Sequence, residues 1–204
     1  MGFKSHNVDT VLKNRPRLIE YASLSIEVKE IVDFTVQESL KPNPELRLKN
    51  VLTKIAKPKQ MNLWFLSWSD IIELRIAVSE QNMFEVLNIV FGINDKDFAR
   101  LDLFNAFSAY KWIVEQFKAI VEIELQELSS ELTEEEKEAG VEELQEFGYS
   151  VMLDGISKGD LLKYDDYLKL PYVKIFRKMC LDKKRHDINK QMQENASTKY
   201  KRNS

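Results

Sequence analysis

Cysteine is almost missing from this chain. Cys180 is the only one in 204 residues, which excludes an intrachain disulfide and suits a reducing compartment. Histidine occurs twice, as His6 and His186, both in polar stretches. A zinc site needs four nitrogen or sulfur ligands, and two distant histidines with one cysteine do not supply them. Six glycines and five prolines are few for an all-β fold, which places such residues at its turns. No apolar run approaches the roughly 18 residues a membrane span requires. Residues 1–9 lack the apolar core of a secretory signal, and His6 stands where a myristoylation signal needs Ser or Thr. The phosphate-cradling patterns G-x-x-x-x-G-K-[ST] and G-x-G-x-x-G are absent, as is the nucleophile elbow G-x-S-x-G. A base, a nucleophile and oxyanion donors cannot be assembled from what is left. The expectation is a non-enzymatic protein with no catalytic residue, no cofactor and no metal.

What is present is a helical core. Hydrophobic residues make up 44% of the chain and charged residues 31%, enough for one sizeable domain. The dominant stretch runs from Leu101 to Leu132, free of Pro and Gly. Leu103, Phe107, Tyr110, Val114, Phe117, Val121, Leu125 and Leu128 recur at three- and four-residue steps, the pattern of a helix with one buried stripe. A second set, Phe104, Trp112, Ile113 and Ile120, widens that stripe. Such a helix is about 45 Å long at 1.5 Å per residue and serves as the spine on which shorter helices pack.

In chain order, residues 1–16 read as a polar arm. Residues 17–28 are ambiguous between strand and helix, with helix from about Ser25. Asn43 and Pro44 open a second helix as cap and first residue, expected over Asn43–Ala56 with Leu48, Val51, Leu52 and Ile55 on one face. Ser67 with Asp70 has capping-box spacing before the helical stretch Ser69–Phe91. Ser79–Gln81 reads as a bend or a continuation, and Gly92 sits where a left-handed C-cap belongs. Asn94 or Asp95 restarts the chain. Thr133 with Glu136 forms another capping box, Gly140 breaks the helix after it, and a short helix follows over Val141–Phe147. Four short turns, punctuated by Gly155, Gly159 and Asp165, lead to a final helix Pro171–Leu181. The last dozen residues have no core-forming content and read as frayed, or as ordered only against a partner.

Charge is unevenly placed although the net value is only −3. Between Glu122 and Glu146 eleven acidic residues face one lysine, Lys137; between Pro171 and Ser204 ten Lys or Arg face three acids. The carboxylates lack the Glu-x-x-His pairs of helical di-metal sites and read as a solvated acidic face. Asp154, Asp160, Asp165 and Asp166 lack calcium-loop spacing and read as caps and turn formers. Cys180, beside Met179, reads as a buried structural thiol. Trp64, Phe65 and Trp68 read first as core and second as an anchor for a protein partner. Lys183, Lys184, Arg185 and Lys190 read as a solvated helix end or as a contact for an acidic protein surface. Nucleic-acid contact is less favoured, since no aromatics interleave these cations. The candidate partner-binding residues are therefore Trp64, Trp68, Lys183, Lys184, Arg185 and Lys190.

One region has a further likeness. The succession Ala-Gly-Val-Glu-Glu-Leu-Gln-Glu-Phe-Gly at 139–148, Lys-Gly-Asp-Leu-Leu-Lys-Tyr-Asp-Asp at 158–166 and Leu-Lys-Leu-Pro-Tyr-Val-Lys-Ile-Phe at 168–176 resembles small helical proteins encoded among the head and tail genes of tailed bacteriophages, the crAss-like gut phages included. The resemblance implies a virion structural protein, a head, neck or tail-ring subunit. It would be found in the virion and, during assembly, in the host cytoplasm, with other virion proteins or its own copies as partners and no membrane. The alternatives are a tail assembly chaperone absent from the mature virion and a nucleic-acid-binding regulator. The expected fold is all-α: an irregular helical bundle around one long central helix, with an N-terminal arm (1–16), a helical domain (17–181) and a basic C-terminal helical extension or tail (182–204).

Overall fold

The computed structural model describes residues 17–27, 29, 30, 32, 33, 40–47, 55–130 and 137–202. The expected arm at 1–16, the Thr133–Glu136 capping box and the expected helix-face residues Leu48, Val51 and Leu52 lie outside the described residues. The fold is all-α. Its elements are α1 (Leu18–Ala22), a two-residue pair β1 (Leu46–Arg47) and β2 (Ile55–Ala56), α2 (Trp68–Ser79), α3 (Met83–Phe91), α4 (Asp95–Phe98), α5 (Leu103–Leu128), α6 (Tyr149–Ser157), α7 (Tyr164–Leu168) and α8 (Tyr172–Arg202). Short 3-10 helices lie at Leu63–Phe65, Val141–Phe147 and Leu161–Lys163. Packing groups the chain into two compact units, Met1–Leu63 with Asp70–Lys118, and Trp64–Ser69 with Ala119–Ser204.

In the first unit, α1 occupies part of the stretch that alternation left ambiguous. The Glu20 carboxylate accepts the Arg17 backbone N–H at 2.8 Å and its guanidinium at 2.7 Å, which caps the first turn. Leu18 N–H donates to the Leu101 carbonyl at 3.1 Å. The described residues between 26 and 33 are helical too, and the Ser25 carbonyl accepts the Lys29 N–H at 3.0 Å. Tyr21 lies edge-on to Phe107, 6.1 Å between ring centroids, and its hydroxyl donates to Asp33. Burial, reinforced by that carboxylate, pushes the Tyr21 phenol well above its ordinary value.

The expected Asn43–Ala56 helix is overturned. Leu46–Arg47 pairs antiparallel with Ile55–Ala56, in the register Leu46 with Ala56 and Arg47 with Ile55. Asn43 does carry a local hydrogen bond, but its side chain accepts the Glu45 N–H at 3.1 Å. That closes an Asx turn two residues on rather than a helix cap. Pro42 and Pro44 also bias the residues before them towards extended backbone. The turn delivers Leu46 into the core, where it is fully buried.

α2 and α3 are separate helices, so the stretch at Ser79–Gln81, open between a bend and a continuation, is a bend. Gln81 takes φ +55°, and Asn82 then caps α3 by accepting the Glu85 N–H at 3.2 Å. Gly92 ends α3 at φ +66°, ψ +36°, with its N–H on the Asn88 carbonyl, as its position suggests. Asn94 caps the short α4, accepting the Asp97 N–H at 2.9 Å. The Asp102 carboxylate then caps α5, accepting the Asn105 N–H at 3.0 Å.

α5 is the expected long helix, 26 residues and about 39 Å. Its buried face is only partly the expected one: Leu103 and Phe117 come from the stripe, and Ile113 and Ile120 from the set that widens it. Leu103, Ala106, Ala109, Ile113, Phe117 and Ile120 are buried. Phe107, Tyr110, Val114 and Val121 are only half-buried, and Leu125 is 63% exposed. Beyond Leu103 and Phe117, the buried line is displaced by one residue, about 100° round the helix. Segment 40–43 runs against another side of α5, with Asn43 N–H on the Ser108 carbonyl at 3.1 Å and Lys111 Nζ on the Leu40 carbonyl at 3.3 Å. Ser108, small and buried, leaves room there.

In the second unit, residues 66–68 lie beside 170–172. Trp68 N–H donates to the Leu170 carbonyl at 2.9 Å, Tyr172 N–H to the Leu66 carbonyl at 2.8 Å, and Ser67 bridges Pro171. Gly140 (φ +74°) makes the expected break before the 3-10 helix Val141–Phe147. Gly155 does not punctuate the chain but lies inside α6. The turn falls at Lys158 and the expected Gly159, both left-handed. The final helix runs on into the expected helical extension: α8 has 31 residues and ends at Arg202.

Candidate protein-contact surface on the C-terminal helix

The start of α8 is held by aromatic packing. The Trp64 ring stacks on Tyr172 at 5.7 Å and 12°, and meets Phe176 at 4.9 Å. The Tyr172 hydroxyl donates to Glu124 on α5. Trp68 is buried to 1% exposure, so its side chain is core; Trp64 is half-buried against α8. Phe65, which the expected site omits, is the exposed aromatic of this segment.

The inward face of α8 carries Tyr172, Ile175, Phe176 and Met179, and one turn on comes Lys183. Lys183 Nζ donates to the Glu127 carbonyl at 3.0 Å. A cation there satisfies an end carbonyl of α5 and complements the negative pole of its dipole. Lys190 is half-buried on the same side. Cys180 is half-buried; burial first, then the Glu127 charge, raises its thiol above the ordinary value.

The outward face differs in kind. Leu181, Ile188 and Met192 are 47–64% exposed. At 100° per residue they fall within about 40° of arc, opposite Tyr172, Met179, Lys183 and Lys190. Lys184 and Arg185, both exposed, flank that stripe on either side. Arg185 also lies 3.9 Å from Asp182, which pairs with Lys178. Thus the four expected cations divide: Lys183 and Lys190 sit on the inward side, Lys184 and Arg185 on the outward side. The expected site left out Leu181, Ile188 and Met192. Their spacing of seven and four residues was the available signal, and it means something only if the helix continues past Leu181.

The other candidate groups serve the chain's own turns. The Asp160 carboxylate accepts the Leu162 N–H at 3.2 Å and pairs with Lys163 at 2.7 Å. The hydrogen bond from Lys163 holds the Asp160 carboxyl below its usual range. Asp154 accepts the Tyr164 hydroxyl at 2.9 Å. Among the described residues, no group of three His, Cys, Asp or Glu is placed to hold a metal ion. Among those residues, no helix is long and apolar enough to cross a membrane.

Comparison with protein-family models, curated proteins and solved structures finds no match to this chain.

Proposed function

We propose that this chain is a non-enzymatic subunit of a larger particle that binds neighbouring protein through the outward face of α8. The supporting observation is the second half of that helix. From Lys184 onward the described side chains of α8 are exposed, Lys190 excepted, yet the backbone stays helical to Arg202. Helices without tertiary packing are marginal in water, because most helical stability comes from burying an amphipathic face. A stripe of Leu181, Ile188 and Met192 between two cations is such a face, and a partner protein is what would bury it. A nucleic-acid partner suits it less. Phosphates favour cations at the centre of a contact, whereas here the centre is apolar.

The resemblance of residues 139–176 to tailed-phage head and tail proteins supports a virion as the particle and a head, neck or tail ring as the place. Mass spectrometry of purified particles tests this. Presence in a fixed copy ratio to the shell or tail proteins is the expected result. Absence from particles, with the protein abundant in infected cells, would overturn it in favour of an assembly chaperone.

A further inference from the structure

We infer that the partner of α8 is a second copy of this chain, and that its docking site is the ridge formed by the 3-10 helix Val141–Phe147 and the start of α6. The inference rests on the reading of the chain as a protein-contact subunit and names the contact.

The ridge follows from 3-10 geometry. Three residues per turn eclipse positions three apart. Val141, Leu144 and Phe147 therefore stack on one line, and Glu143 and Glu146 on the line beside it. Leu144 is 48% and Phe147 57% exposed. Glu143 and Glu146 are exposed as well. Val151, at the start of α6, is exposed as well. An apolar line beside a carboxylate line is the counterpart of the α8 stripe, an apolar line beside Lys184 and Arg185.

Charge decides between the available self-contacts. From Lys183 to Arg202 seven Lys or Arg stand against two acids, so pairing two α8 tails sets like charges together. From Lys137 to Ser150 four Glu stand against one Lys, so tail against ridge sets opposite charges together and closes both apolar lines to water. Within one chain both lines remain exposed, so neither buries the other. Tail and ridge are different surfaces, and the contact is therefore head-to-tail. Repeated, it closes into a ring or runs on as a filament.

The test uses the full chain and two charge-reversal variants, with light scattering after size exclusion. Wild type associates at low salt and dissociates as salt rises. Lys184→Glu with Arg185→Glu spoils the tail, and Glu143→Lys with Glu146→Lys spoils the ridge. Each variant alone weakens association at least about tenfold. Mixed together, the intact tail meets the intact ridge and the reversed tail meets the reversed ridge, so the two variants associate with each other although each self-associates only weakly. All substituted residues are exposed, and unchanged far-UV circular dichroism checks that each variant folds. A mixture that stays monomeric, or a tail variant that associates like wild type, would overturn the inference. Those results leave the particle reading standing if the protein is still found in particles at fixed copy number. Absence from particles overturns that reading whatever the variants do.

Discussion

Gly92 closes α3 with φ at +66°, and a Cβ there would meet only the Lys59 side chain, at 3.9 Å. Space is not what requires glycine; the left-handed backbone is. Gly92→Ala should destabilise the fold by about 1 kcal/mol in a denaturant titration. This position was legible in the sequence because a helix end is a local event. The aromatic segment 64–68 was not. Trp64, Phe65 and Trp68 are alike in hydrophobicity, and a 3-10 turn decides which one faces inward. Trp68→Ala should cost about 3–5 kcal/mol, as for a large side chain lost from a core. Phe65→Ala should stay within about 0.5 kcal/mol. For Cys180, burial and the Glu127 charge favour the protonated thiol, so the reactive thiolate forms only at higher pH. The pH profile of its reaction with a thiol reagent should have its midpoint above the value of about 8.5 for a free cysteine.

Two helices show where pattern succeeds and where it misleads. α5 was legible as a helix, because sustained three- and four-residue spacing has no other reading. Its inward face was legible only in part. Leu103, Ile113, Phe117 and Ile120 are large and buried, but Ala106 and Ala109, fully buried too, carry no hydrophobic bulk to mark them. Ala106→Leu should therefore destabilise the protein by about 1–3 kcal/mol through overpacking. Leu125→Ala, at an exposed site within the expected stripe, should change stability by less than about 0.5 kcal/mol. Equal effects of the two in thermal or chemical melts would restore the stripe drawn from hydrophobicity. The segment 43–56 failed for a different reason. Asn and Pro open helices and close turns with the same hydrogen-bonding groups, and only the pairing of Leu46–Arg47 with Ile55–Ala56 selects the turn.

For the molecule as a whole, the uneven charge was visible at once, but its use was not. A basic C-terminal stretch reads as a solvated end or a protein contact, and less readily as a phosphate contact. Tertiary packing turns Lys183 and Lys190 inward and leaves Lys184, Arg185 and the apolar stripe outward. Hydrogen exchange should follow from this. Amides beyond Lys184 should exchange fast in dilute, high-salt solution and slow down at high concentration in low salt, while those of Tyr172–Met179 stay protected in both. Uniform fast exchange under both conditions would mean that this half of α8 gains no partner.

Helix class, the long α5, the glycine stops and the lopsided charge were settled by the amino-acid order, since each depends on neighbours within one or two turns. The face of α5 that is buried, the pairing at 46–56, the division into two units and the side of α8 left bare were settled by packing. Those choices depend on which distant segment comes close enough to exclude water, and no local spacing carries that information.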